Sequence, residues 1–348
     1  MSTLAEDPLE TALTWSREGR SVALATVVDT WGSSPRPRGS QLAVRDDGLF
    51  VGSVSGGCVE GKVVEAAQAA MQNRVHQLLE FGVSDEEAWG VGLACGGTVR
   101  IYVEAVEVPE KSRPGSLNRE VLERVERART EKKALVLLTP LDGRKVRTWL
   151  PGQDGIASDL REAAERALAS DDASTVESSE GAVFVQAINP PLRLVIVGAV
   201  HIAQPLSRIA ALLGYEVTVV DPRESFARPE RWPDVAVVNA WPDEALQKMT
   251  LDHRTAIVTL THDPKIDDVA LEEALKSNAF YVGALGSKKT HGSRLQRLGE
   301  RGFSVDQLAR IHGPVGLRIA ARSPAEIAIS IVAQMTEKLR TSNSTSAK

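Results

Sequence analysis

The chain of 348 residues holds two thiols, Cys58 and Cys95, and each stands beside a glycine pair, in GSVSGGCVEG and LACGGTV. At this glycine content a pair on a given side of a residue is expected about 0.6% of the time, so two such placements are not accidents of composition. Glycine pairs allow backbone geometries closed to other residues and leave N–H groups that can turn toward an anion. Cys58, after Ser55, Gly56 and Gly57, also opens the helical pattern VEGKVVEAAQAAMQ, whose dipole would favour a thiolate there. The chemistry suggested is a thiol that serves a bound ligand or takes part in sulfur chemistry. Three other readings stay open from the residues alone: Cys58 as a small buried apolar side chain, a Cys58–Cys95 disulfide, or two ligands of a metal. The metal reading lacks a matched His or Cys pair, and no H-E-x-x-H spacing occurs.

A second feature is cationic. TWGSSPRPRGS sets Arg36 and Arg38 among glycine, serine and proline, a fairly rigid loop suited to phosphate, or else an ordinary surface turn. Its value depends on folding next to Cys58.

The elements that must position these residues read as an α/β chain. A helix is expected over Pro8 to Arg20, then strands at Val22 to Thr30, Gln41 to Val44 and Leu49 to Val54, so GSVSGGC joins a strand to a helix. A strand from His76 to Phe81 precedes the loop Gly82 to Gly97, which carries Cys95 and Gly96 and feeds TVRIYVEAV. EVPEKSRPGSL, residues 107–117, is a polar break and a candidate sub-boundary. A helix at about 118–131, strands ALVLLTP and KVRTWLP, a helix at about 158–169 and the strand GAVFVQAI follow. SDDASTVESSE, acidic and serine-rich, reads as a solvated loop. The proline pair of AINPPLR separates a first domain, 1–188, from a second, 192–340, with 341–348 as a disordered tail.

From Leu192 strands alternate with helices, the signature of a doubly wound parallel sheet of Rossmann-like type. Gly198, Ala203 and Asp221 stand at dinucleotide-binding positions, the acid suited to a ribose hydroxyl. Val200, however, replaces the glycine that would let backbone approach a pyrophosphate, which argues against bound NAD(P). Thr261 to Asp263 and the run Gly286 to Arg294, with Lys288, Lys289 and Arg294, lie where ligands of such sheets bind. His201, His262, His291 and His312 are candidates for acid or base work.

Lys and Arg total 41 against 46 Asp and Glu, a net charge of −5, which gives no encouragement to nucleic-acid binding. No apolar run is long enough for a membrane span, and the acidic start MSTLAEDPLETAL is unlike a signal peptide. A cytoplasmic setting, with reduced thiols, is expected.

Several long motifs together resemble the XdhC/CoxI family: ATVVDTWGSSPRPRGSQLAV, GSVSGGCVEG, LACGGTVRIYVE, VVDPRESFARPERWPD, YVGALGSKKTHGSRL and IHGPVGLRIAARSPAEIAISI. Its members are accessory factors for xanthine dehydrogenase and related molybdenum hydroxylases. The resemblance covers both halves of the chain. It implies a maturation factor that binds molybdenum cofactor (molybdopterin) as cargo and protects it while a cysteine desulfurase-like partner installs its terminal sulfur. The cofactor then passes to the apo-hydroxylase. By position, Cys58 is similar to the family's cofactor-associated cysteine, with Cys95, Gly96, Gly97 and the loop around Arg36 as its neighbours. A homodimer is implied by analogy. The alternative is an NAD(P)-binding oxidoreductase or a xanthine dehydrogenase-associated subunit with a Rossmann domain.

Overall fold

A computed structural model describes residues 7–32, 36–82, 97–107 and 117–345. Its contacts divide the chain between Pro190 and Pro191 into two compact units.

In the first unit Asp7 starts α1 (Pro8–Arg17) by accepting the N–H groups of Leu9 and Glu10, both at 3.0 Å, with proline at the first helical position. β1 (Val22–Trp31), β2 (Gln41–Arg45), β3 (Phe50–Gly52), α2 (Glu60–Asn73), β4 (Gln77–Phe81) and β5 (Thr98–Glu107) follow. The strands form an antiparallel sheet in the order β3-β2-β1-β5-β4, with β6 (Leu117–Asn118) running parallel to β5. Period-two alternation in β1 sends Ala23, Ala25 and Val27 to α2, and Val22 and Leu24 to the opposite face. That face packs on α1 and on α3 (Arg119–Thr130).

A second sheet continues the layering. β7 (Leu135–Pro140), β8 (Arg147–Trp149), α4 (Ser158–Ser170), β9 (Ser174–Ser178) and β10 (Gly181–Ile188) give the antiparallel order β8-β7-β10-β9. Leu135 and Leu137 of β7 face α1 and α3, while Val136 and Leu138 face Leu160 and Ala164 of α4. The acidic SDDASTVESSE, expected as a loop, contains β9. Its backbone pairs with β10 from Val185↔Ser174 to Gly181↔Ser178, and Val176 packs against the α4 core. Ladder hydrogen bonds belong to the backbone, so an edge strand tolerates polar side chains that read as solvated.

The second unit is a parallel sheet. β11 (Arg193–Val197), α5 (Ala203–Leu212), β12 (Glu216–Val220), β13 (Ala236–Val238), α6 (Pro242–Gln247), β14 (Thr255–Thr259), α7 (Pro264–Lys276), β15 (Tyr281–Ala284), α8 (Lys288–Glu300), α9 (Val305–Leu308), β16 (Ile311–His312) and α10 (Pro324–Thr345) complete the chain. The order β13-β12-β11-β14-β15-β16 reverses direction between β11 and β14. Residues of α5 and α10 cover one face and residues of α6, α7 and α8 the other, which is the doubly wound α/β fold expected. Residues 341–345, expected in a disordered tail, continue α10. No proline or glycine interrupts the helix there, and a formed helix extends more readily than it starts.

Candidate functional site

The loop between β3 and α2 is built around one carboxylate. Gly52 ends β3 at φ +96°, and a Cβ there would stand 2.2 Å from the Gln41 carbonyl oxygen, so only glycine closes this strand against β2. Glu60, at the first position of α2, then reaches back. Its Oε1 accepts from Ser53 Oγ at 2.9 Å and from the N–H groups of Val54, Ser55 and Gly56 at 3.2, 2.9 and 3.1 Å. Its Oε2 accepts from Gly57 N–H at 2.9 Å and from the Ser55 hydroxyl. Ser55 Oγ in turn accepts from the N–H groups of Cys58 and Val59 at 3.1 and 3.0 Å.

Glu60 is 7% exposed. Burial opposes ionisation of Glu60, but the hydrogen bonds from Ser55 and Ser53 outweigh it and hold the carboxyl at about 2. The anion that the glycine-pair amides were expected to cradle is therefore, in this loop, the chain's own side chain. Gly56 and Gly57 take φ of +80° and +113°, which lets consecutive N–H groups converge on it. Cys58 is carried outward: its side chain is exposed, which disposes of the buried-hydrophobe reading.

Three loops leave the same end of the first sheet. β1 ends at Trp31, paired with Thr98 of β5, and Gly97 is buried immediately before that strand. Arg36, exposed, donates from Nε to the Ser53 carbonyl at 3.3 Å and so touches the base of the Cys58 loop. Arg38 turns elsewhere, its guanidinium 4.0 Å from Asp29 and 3.6 Å from Asp172. Both arginines, with Gly39, Gln41, Gly52 and Gln186, line a cleft of about 470 Å³ between the two sheets of this unit. Cys95 and Gly96 lie outside the described residues. Among the described residues no group of three or more His, Cys, Asp or Glu gathers as a metal site. Glu60 escaped the sequence reading; its signal was an acid in the first turn of a helix that follows a Ser/Gly loop.

In the second unit the residues at the dinucleotide positions make contacts within the fold. Gly198, at φ +108°, donates its N–H to Val220 O at 2.8 Å, and a Cβ there would lie 2.6 Å from Thr261 Cγ2. Val200 packs against the core rather than standing over an open turn. Asp221 is fully buried and already engaged. Its Oδ2 accepts Ala199 N–H at 2.8 Å and Arg223 Nη2 at 2.7 Å, and its Oδ1 accepts Arg223 N–H and Nε at 2.9 and 2.8 Å. Burial opposes its ionisation, yet the Arg223 and Ala199 hydrogen bonds hold the carboxyl below its ordinary range. Asp221 thus clamps the turn after β11 to the turn after β12, where a ribose-binding acid had been expected.

Comparison with known proteins fits this architecture. A model of the XdhC and CoxI family matches residues 15–82, and one of the XdhC Rossmann domain matches residues 194–335. The molybdenum cofactor insertion chaperone PaoD of Escherichia coli is 28% identical over 91% of this chain and 83% of its own. A probable xanthine dehydrogenase subunit of Bacillus subtilis is 28% identical over 90% of this chain and 92% of its own. The uncharacterized protein YqeB of Escherichia coli is 25% identical over 90% of this chain, which spans 43% of YqeB's length. A crystal structure described as a xanthine dehydrogenase from Bacillus halodurans superposes with a TM-score of 0.75 at 26% identity, over 97% of this chain and 96% of that one. With its Cys58 loop inside one matched segment and its parallel sheet in the other, the chain belongs to the XdhC and CoxI family.

Proposed function

We propose that this protein binds molybdenum cofactor as cargo at the Cys58 loop and delivers it to a xanthine dehydrogenase-type enzyme. The observation that carries this is the exposed thiol of Cys58 on a loop fixed by Glu60, beside the Arg36 guanidinium. A thiolate suits the soft, sulfur-ligated metal end of such a cargo, and an arginine suits its phosphate. Because Glu60 holds the loop amides, Arg36 rather than the glycine backbone is the donor for an anionic group. The names of PaoD and of the Bacillus subtilis relative support the same role. Installation of the terminal sulfur by a cysteine desulfurase-like partner while the cofactor is held belongs to this reading.

The test loads purified full-length protein with molybdenum cofactor and measures retained pterin after gel filtration, for wild type and Cys58→Ser. Because Cys58 is exposed, the variant is expected to fold normally and to lose retention by about tenfold or more, the range over which removing even a group that supports a metal ligand weakens a site. Equal retention would remove Cys58 from the site, and mass spectrometry finding no pterin with freshly isolated protein would count against the cargo itself.

A further inference from the structure

The carboxyl edge of the parallel sheet holds a buried arginine whose donors are only partly used. The Arg294 side chain, in α8, is 2% exposed. Its Nη2 donates to Leu285 O at 2.9 Å and lies 3.7 Å from Asp267 Oδ2. Its Nε and Nη1, among the described residues, have no hydrogen-bond partner. A guanidinium offers five N–H donors and keeps its charge, so a buried, unmatched edge is costly to leave without an acceptor. Asp267 does not supply the missing acceptor. Its Oδ1 takes Thr261 Oγ1 and N–H at 2.6 and 3.2 Å, and its Oδ2 takes His262 N–H at 3.1 Å.

The unmatched donors border a defined place. Nη1 lies 3.9 Å from where a Cβ on Gly286 would stand, and Thr290 Cβ lies 3.2 Å from the same point. A side chain at 286 would press on Thr290 beside Nη1, and the φ of +150° also disfavours one, so glycine keeps the notch at this edge free of a side chain. Ser287 caps α8 by accepting Thr290 N–H at 3.1 Å, setting the positive end of a 13-residue helix at this notch. His291 Nδ1, in the same first turns of α8, is a further buried polar atom with no partner among the described residues.

We propose that the notch between Gly286 and the start of α8 binds a phosphate-type oxyanion, with Arg294 Nη1 as its principal donor. The site lies two strands from β11 in the sheet, so it depends neither on the Gly198 turn nor on the cofactor reading of Cys58. The oxyanion reaches Gly286 and Thr290, both half-buried, from the exposed stretch Ser287 to Lys289.

Calorimetric titration of the full-length protein with inorganic phosphate and, separately, with diphosphate tests this, alongside thermal unfolding in each. One anion per chain is expected, with Tm rising as the anion is added. Arg294→Lys, which keeps a cation facing Asp267, is expected to weaken binding by about tenfold or more and to abolish the Tm rise. Tighter binding of diphosphate assigns the group to a nucleotide-like ligand, and equal binding assigns it to a single phosphoryl group or free phosphate; both support the site. If Arg294→Lys fails to fold by circular dichroism, Thr290→Leu takes its place, since its larger side chain crowds the same notch from regular helical backbone. No binding of either anion at millimolar concentration by wild type, or undiminished binding by the folded variant, overturns the proposal.

Discussion

At Glu60, four backbone N–H groups and two serine hydroxyls converge on one carboxylate, and glutamine in its place could accept at only one of the two atoms. Glu60→Gln is expected to cost about 2 kcal/mol, the scale of a buried charge-assisted network losing an acceptor, and to raise amide exchange at residues 54–58 while β1 stays protected. The pH dependence has a definite sign. The folded carboxyl titrates at about 2 against an ordinary value of 4.5, so its contribution is complete above 4.5 and is lost as pH falls toward 2. Acid unfolding monitored in wild type and variant would show a steeper loss in wild type through that window. Cys58, Gly56, Gly57 and Arg36 were legible because rare residue types sat in turn chemistry. The partner of the loop amides was not, since an acid in a first helical turn usually only complements the dipole. Likewise nothing in the spacing of Gly198 and Asp221 reveals that Arg223 and Ala199 already satisfy the acid.

Among the elements, β1 and β5 were plain from their β-branched runs, and α5 with β11 and β12 from alternating period. β9 was hidden because STVES owes its strand state to the ladder with β10 and not to an apolar face. The same sheets carry a buried acid that hydrophobic patterning had absorbed into TVRIYVEAV. Glu104 of β5 is 5% exposed, and its Oε2 accepts Leu117 N–H at 3.0 Å. Desolvation pushes its carboxyl up to about 8, against the smaller opposing effect of that hydrogen bond. The unfolded chain ionises near 4.5 while the folded one stays neutral, so stability is full below 4.5 and declines as pH rises toward 8. The slope is at most about 1.4 kcal/mol per pH unit. Glu104→Gln keeps an acceptor for Leu117 and cannot ionise. Denaturant titrations across that window are expected to show wild type losing stability while the variant holds its value; parallel curves would mean Glu104 is charged in the fold.

For the whole molecule, the division between Pro190 and Pro191 separates complete cores. Among the described residues, Leu24, Leu122 and Leu135 belong to a cluster built from residues before the boundary, and Ile196, Leu206, Val258 and Ile331 to one built from residues after it. The two sheets of the first unit and the one of the second are also separate, since among the described strands no ladder crosses the prolines. A chain cut there leaves no described strand unpaired and no core cluster without its partners, and lengths of 190 and 158 residues are enough for independent stability. Residues 1–190 and 191–348 expressed separately are therefore expected to unfold cooperatively, each with native-like circular dichroism. The fragments also separate the two binding proposals by location. Pterin retention should follow the fragment with Cys58, and the phosphate-dependent rise in Tm should follow the fragment with Arg294. Retention of pterin by residues 191–348 alone would move the cargo site to the parallel sheet and away from the Glu60 loop.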